Sequence, residues 1–438
     1  MKTDILIVGS GCSGLYCALQ LPQEKQIMVI TKSDLESNDS FLAQGGMCML
    51  KSEDDYDSYF EDTMRAGHYE NDKKSVEIMI RSSVDVVKDL IGYGVEFERD
   101  ENGELLFTRE GAHSAKRILF HKDITGKEIT SKLLAEAKKR KNITLYPYTR
   151  LVDLICQEND CYGAVLRMED GSLEKVYAKQ TVLACGGIGG LYRHSTNFRH
   201  LTGDALALAI RHGVELKDIN YVQVHPTTFY SEKEEDRSFL ISESVRGEGA
   251  KLYDKNGNRF VDELLPRDLL TEKIHEQMKK DGTMHVWEDL RTIPEHELRT
   301  HFPNIVAHCQ KMGYDVTKEC IPVVPAQHYF MGGIRVDHVS HTSMEHLYAV
   351  GETACNGVHG RNRLASNSLL ESLVFAKRAA VDMQAKKPEK NAGRRADVVS
   401  NASLVRYEDM TAFEEENRRL VQEAIRQADE ADSKRKAG

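Results

Sequence analysis

A doubly wound α/β domain, interrupted by an inserted α+β unit and followed by a short helical tail, is the fold class that this 438-residue sequence predicts. Three observations carry the prediction. Asp4-Ile-Leu-Ile-Val-Gly-Ser-Gly-Cys-Ser-Gly14 joins an unbroken apolar run to three spaced glycines, as when a strand buried on both faces of a parallel sheet turns into a helix. Thr181-Val-Leu-Ala-Cys-Gly-Gly187 and Leu347-Tyr-Ala-Val-Gly-Glu352 repeat the strand-then-glycine pattern far downstream. From Asn220 to about Pro325 the character changes, and that segment holds the single tryptophan, Trp287.

Composition narrows the function classes. With 40% hydrophobic and 29% charged residues the chain reads as an ordinary soluble globular protein. A formal net charge of -10 argues against nucleic acid as a partner, because phosphate backbones are met with concentrated positive charge. An anionic substrate then requires a local cationic pocket. The nine cysteines include no CxxC pair, so no zinc or iron–sulfur site, and no other metal, is expected. Reduced thiols in a cytoplasmic setting are the plain reading. The first strand begins almost at Met1, leaving no room for a signal peptide. No apolar run approaches the roughly 18 residues of a membrane span.

Along the chain, Gly9 allows a tight turn, Gly11 lets the backbone approach a pyrophosphate, and Gly14 lets helix and strand pack. The helix start supplies N–H donors to the phosphate. Gln26–Lys32 reads as the second parallel strand. Its end carries Thr31-Lys32 where many dinucleotide sites place an acid on the ribose, which weakens a nicotinamide reading and leaves FAD open. Ser37–Gly46 is polar and glycine-rich, either backbone passing close to a flat ring or a surface loop. Val76, Met79, Ile80, Val84, Val87 and Leu90 recur at helical spacing until Gly92 and Gly94.

Thr108–Ser114 reads as a loop, and a helix over 128–140 precedes strands at 143–146 and 150–156. Residues 162–168 and 173–178 predict a hairpin about Asp170-Gly171, with 181–187 as a separate buried strand. Gly203–Arg211 predicts a helix whose first turn holds Asp204. The domain reading is thus 1–220 with 329–385, an inserted capping domain at 221–328, and a linker plus C-terminal helix at 386–438. Within the last, 386–397 is linker, and the helix runs from Asp409 to about Ala428 before a basic, frayed tail.

Taken in order, GSGCSG, SFLAQGG, HPTT, SESVRGEG, PRD, AQHYFMGG and HGRNRLASNSLLE give a combination that no single piece carries. Over residues 1 to about 385 the sequence resembles the flavoprotein family of succinate dehydrogenases, fumarate reductases and L-aspartate oxidases, its aspartate-oxidase branch above all. The resemblance implies FAD. Succinate dehydrogenases attach it through a histidine six residues before the first AQGG glycine, and Asp39 stands there instead, implying noncovalent FAD. Further FAD contacts are implied at Ser10, Gly11, Ser13, Gly14, Lys32, Ser40, Ala43, Gln44, Gly45, Gly46, Asp204, Glu352, Ser368 and Leu369.

For substrate, the resemblance implies donors to two carboxylates from His225, Ser242 (replacing the more usual threonine), His328 and Arg363. Glu110 falls where the aspartate-oxidase branch meets the substrate ammonium, the one group that separates L-aspartate from succinate. Arg267 matches the family's catalytic arginine, with Glu243 and Arg246 as its proton relay. Arg267 either moves a proton or acts by its charge alone.

The implied reaction is oxidation of L-aspartate to iminoaspartate with oxygen or fumarate as acceptor, the first step of NAD biosynthesis from aspartate. Quinolinate synthase is the implied downstream partner. A soluble fumarate reductase and a noncatalytic FAD-binding redox subunit are the alternatives. Family members typically carry a longer C-terminal helical domain than the roughly 50 residues after the last motif here.

Overall fold

A computed structural model describes residues 1–232, 237–385, 407 and 409–437. The linker expected at 386–397 lies outside them. In chain order, β1 (Lys2–Val8) leads into α1 (Cys12–Gln20), followed by β2 (Ile27–Ile30), α2 (Asp39–Leu42), β3 (Met47–Cys48), α3 (Tyr56–Ala66) and α4 (Lys73–Gly92). Next come β4 (Ile118–Leu119), α5 (Thr125–Lys139), β5 (Ile143–Tyr146), β6 (Arg150–Gln157), β7 (Asp160–Arg167) and β8 (Leu173–Leu183). After α6 (Asp204–Arg211) and β9 (Leu216–Lys217) the chain builds β10 (Val222–Phe229), α7 (Glu243–Gly247), β11 (Lys251–Tyr253), α8 (Arg267–Asp281) and β12 (Val286–Asp289). Helices α9 (Glu295–His301) and α10 (Pro303–Lys311) precede β13 (Ile321–Phe330), β14 (Gly333–Arg335), β15 (Leu347–Ala349) and β16 (Ala354–Cys355). Two long helices, α11 (Asn367–Ala385) and α12 (Met410–Ala437), complete the described chain.

The main sheet runs β5-β2-β1-β8-β7-β6, with β15 also on β8. β5, β2, β1, β8 and β15 pair in parallel, whereas β6 and β7 join antiparallel. Both faces of β1 are covered, which is why its apolar run is unbroken. Ile5 and Ile7 pack with α1, α4 and α11, while Leu6 and Val8 pack on the opposite side with α6 and the β6–β8 meander. Gly9 has φ +126°, and a Cβ there would sit 1.9 Å from the Ala184 carbonyl oxygen, so only glycine makes this turn.

Two sequence expectations are corrected. The hairpin strand at 173–178 and the buried strand at 181–187 are one element, β8. Its first half pairs with β7 and its second half with β15, so the polar face of a meander and the buried face of a parallel sheet share one strand. The C-terminal helix does not fray after Ala428 but continues to Ala437. It does so because Val421, Ala424, Ile425 and Ala428 pack into the core beside α6 and its end is tied down by polar contacts. A smaller shift is at α5, which starts at Thr125 rather than 128.

A second sheet, β10-β13-β12-β11, lies over Val222–Phe330 and has its own core of Leu252, Leu270, Ile274, Val286, Ile305 and Ile321 among others. It meets the first domain at Asp123, whose carboxylate accepts from the Asn304 and Ile305 N–H groups at 2.8 and 3.0 Å. Those are the unpaired donors at the start of α10, so Asp123 caps a helix of the other unit.

Candidate active site

One cavity of about 390 Å³ runs between the β1–α1 turn and the second sheet. Its lining includes Ser10, Gly11, Ser13, Lys32 and Asp204, Ser40 with Ala43 to Gly46, and Glu110, His225, Ser242, Glu243, Arg267, His328 and Arg363. Glu352, Ser368 and Leu369 line it too. Two sequence-predicted residues do not. Gly14 sits inside α1, where a Cβ would lie 2.1 Å from the Gly9 carbonyl oxygen, so its job is helix–strand packing. Arg246 is fully buried behind Glu243.

The glycine-rich half has the build of a dinucleotide cradle. Gly11 opens α1, whose Cys12 N–H donates to Ser40 Oγ at 3.2 Å, and a helix start of this kind suits an anion. Gly46 presses on β4 so tightly that a Cβ would lie 2.2 Å from Ile118. Lys32 Nζ and Asp204 Oδ2 pair with each other at 2.6 Å across the far end. Asp39, where a covalent attachment histidine would stand, accepts from Phe198 N–H. Burial raises its carboxyl to about 7. Glu352 accepts from Phe330 N–H at 2.9 Å, and burial together with Asp39 lifts it to about 8. These residues fit an FAD, with polar groups and close-packed glycine backbone lining one cavity.

At the other end the charges are arranged in layers. Arg267 is the first residue of α8, a position where the helix dipole disfavours a cation. Glu243 offsets this, its Oε2 accepting from Arg267 Nε at 2.6 Å, with Arg246 Nη2 3.7 Å away on the same oxygen. Burial raises the Glu243 carboxyl, but Arg267 and Arg246 outweigh it and hold the group below its ordinary range. Glu110 is buried and accepts from Ser244 Oγ at 2.6 Å and Ser366 Oγ at 2.5 Å. Burial and the Glu243 carboxylate push Glu110 above its ordinary value. Two glycines make room for the acids, since a Cβ on Gly45 would lie 2.9 Å from Glu110 Oε1 and one on Gly111 2.5 Å from Glu243 Oε1. Ser366 and Ala112 adopt φ of +62° although neither is glycine, strain that the surrounding contacts hold in place.

His225 and His328 meet edge-on at 5.1 Å. Thr227 O holds His225 Nδ1 at 2.9 Å and Thr196 Oγ1 holds His328 Nδ1 at 2.7 Å. Burial and the neighbouring arginines drive both imidazoles well below their ordinary pKa, so both are neutral. Arg363 lies 4.1 Å over the Tyr329 ring and donates to Ser368 Oγ. Burial and Arg267 lower it to about 10. Ser242 caps α7 by accepting from Ser244 N–H.

Sequence reasoning missed the residues that brace these groups. Gln223 Oε1 accepts from Arg267 Nη1 at 2.8 Å and from Arg363 Nε at 3.2 Å, while its amide donates to Asn362 Oδ1 and Arg363 O. It sits two residues before His225 in the HPTT stretch, and its alternation with that histidine was the available signal. Arg117, with no exposed surface, joins Asp55 and Asp62 at 3.0 and 2.7 Å. Asp62 in turn accepts from Ser114 N–H, anchoring the loop that carries Glu110. Arg117 lies more than fifty positions from either acid, and nothing local in the sequence joins them.

Comparison with known proteins places these features in context. The FAD binding domain family matches residues 4–369. An L-aspartate oxidase of Clostridium perfringens is 51% identical over 380 residues, covering 87% of this chain and 86% of that protein. An L-aspartate oxidase of Clostridium acetobutylicum is 46% identical over 380 residues, covering 87% of each. Among solved structures, an E. coli quinol fumarate reductase chain superposes with a TM-score of 0.82 at 29% identity, covering 95% of this chain and 74% of its own.

Proposed function

The chain belongs to the FAD-binding flavoprotein family of the L-aspartate oxidases, and from that premise we propose that it oxidises L-aspartate to iminoaspartate. It is an FAD enzyme, an oxidoreductase. The observation that carries the substrate is the placement of buried Glu110 in the same cavity as Arg267, Arg363, His225 and His328. Cationic and imidazole groups suit the two carboxylates of a C4 dianion, and an acid between them suits one further positive nitrogen. A site for succinate alone would have no use for that acid, which costs desolvation.

The glycine-rich lining with Lys32 and Asp204 would hold FAD noncovalently, and when bound it would supply the hydride acceptor. L-aspartate gives up a hydride from C2 and a proton from its nitrogen. Arg363 forks onto one carboxylate. His225, Ser242 and His328 bind the other. Glu110 takes the ammonium in a charge-assisted hydrogen bond, and the substrate's positive charge restores the ionisation that burial opposes. Arg267 balances the dianion and, through Glu243 and Arg246, moves the nitrogen proton away from the site. The unit over 221–328 acts as a capping domain that closes over the bound substrate and excludes water.

Oxygen or fumarate takes the electrons, giving hydrogen peroxide or succinate. The product imine is short-lived in water, so a quinolinate synthase consumes it in NAD biosynthesis in the cytoplasm. Among the described residues no helix is long and apolar enough to cross a membrane.

Anaerobic mixing with L-aspartate tests the reading. Bleaching of the flavin band by L-aspartate and not by succinate is expected. Bleaching by neither, with fumarate reduced by a reduced dye, would transfer the assignment to a fumarate reductase. Silence toward every dicarboxylate would leave a redox subunit.

A further inference from the structure

Glu110 is the acid that the proposed reaction asks to meet a positive nitrogen, and it does not hold itself in place. It projects from the loop between α4 and β4, and each of its two oxygens accepts from a hydroxyl that comes from elsewhere in the chain. Ser244 Oγ of α7, in the capping unit, donates to Oε1 at 2.6 Å. Ser366 Oγ, from the turn before α11, donates to Oε2 at 2.5 Å. All three side chains are buried.

Three features fix this arrangement. A Cβ on Gly247 would lie 2.5 Å from Arg109 O, so α7 sits directly on the Glu110 loop and a side chain as short as Ser244 reaches the acid. Ser366 takes φ +62°, a left-handed conformation unusual for a residue with a Cβ, and its hydroxyl also accepts from Gly46 N–H at 3.2 Å. His113, three residues after Glu110, accepts from Arg117 Nη1 at 3.1 Å and so donates from Nε2 to Ala365 O at 3.0 Å. That bond ties the Glu110 loop to the residue beside Ser366. Two donors from two units of the fold therefore converge on one carboxylate. Burial and the nearby Glu243 favour its neutral form, and the two O–H groups oppose them. Each carboxylate oxygen keeps a further lone pair for an incoming N–H.

We propose, resting on the L-aspartate oxidase reading, that Ser244 and Ser366 are specificity-determining positioning residues, which hold Glu110 for the substrate ammonium. The choice of an amino diacid over the plain C4 diacid then resides in three side chains rather than one. Ser244 Oγ also lies 3.2 Å from Ser242 Oγ, so the hydroxyls join the group assigned to the ammonium with one assigned to a carboxylate. Neither serine reacts, and each acts through Glu110.

The test compares L-aspartate oxidation with fumarate reduction by a reduced dye in FAD-loaded wild type, S244A, S366G and S244T. Glycine suits the φ of residue 366, so S366G removes the hydroxyl without adding strain. In S244A and S366G, kcat/KM for L-aspartate is expected to fall about ten-fold relative to that for fumarate, as for one lost hydrogen bond to a charged group. The acid limb of the L-aspartate profile is expected to move up by about one pH unit, because losing a donor favours the neutral acid. The other groups facing Glu110 are Glu243 of α7, Arg267 of α8 and the Cys48 thiol of β3, and all of them stay in place. S244T keeps a hydroxyl and is expected to restore both ratio and profile. An unchanged ratio in S244A and S366G overturns the proposal, as does a fall shared equally by the two reactions, which a merely structural role would give. Infrared titration of the Glu110 carboxyl, identified by its loss in Glu110→Gln, reads the same pH shift without substrate. An unmoved midpoint in S244A overturns the proposal even if L-aspartate proves not to be the substrate.

Discussion

At Glu110 the environment pulls in opposite directions. Burial and Glu243 favour the neutral acid, and an incoming ammonium favours the carboxylate. The free enzyme therefore loses affinity for L-aspartate as pH falls through a window above the ordinary carboxylate range, because protonation removes the charge that meets the substrate. kcat/KM is expected to rise with pH on its acid limb, and Glu110→Gln to flatten that limb while lowering kcat/KM about thirty-fold, a loss of about 2 kcal/mol. A retained acid limb would assign it to another group. Gln223 supports a second prediction. Its single oxygen accepts from two guanidiniums that repel each other. Gln223→Leu should free both and raise KM by about ten-fold, one lost pair of hydrogen bonds to charged donors. A KM series with L-aspartate checks this. Glu110 was legible because the resemblance singles out its loop, whereas Gln223 has no chemistry of its own to announce it.

Among elements, α10 shows how the two units are joined. Its first turn is capped by Asp123 from the loop before α5, through three hydrogen bonds including Asn304 Nδ2. This capping ties α10 to the loop before α5 through one carboxylate. Asp123→Ala should speed amide exchange over 303–311 by at least ten-fold, a cap being worth about 1–2 kcal/mol, with β1 unaffected. Equal protection in both proteins would mean that Asp123 does not stabilise α10. Period and run length made β1, β2, α4 and α11 readable, since each buries a continuous stripe or both faces. β8 was read as two strands because its burial switches from alternating to continuous midway, a change that depends on which partner lies alongside. The overlong α12 escaped for a similar reason, its last turns being held by residues elsewhere in the chain.

For the whole molecule, α12 works as a brace. Phe413 packs beside Tyr407 and Val152 at the meander, Arg211 pairs with Glu416 at 3.0 Å, and Asp429 and Asp432 accept from Asn220. Asp432 also accepts from Arg361, two residues before Arg363 of the cavity lining. The Asn220 contacts fall just before the chain enters β10. Replacing Asp429 and Asp432 together by alanine should change kcat and KM together by about three-fold without altering FAD content, because surface pairs are individually weak. Unchanged kinetics would make α12 a passive cover. The order of motifs predicted an interrupted domain, while this long-range bracing left no local mark.

The interruption itself has a consequence for how the protein is born. β15 adds to a sheet whose other strands are finished by residue 183, and the cavity takes its walls from Val8 at one end of the chain and Ser372 near the other. A growing polypeptide must therefore complete the detour through β10 to β13 before the nucleotide has a place to rest. Sequence-distant pairing of this kind is slow, so cofactor loading waits on the ribosome, and the half-made sheet spends that interval with one edge open.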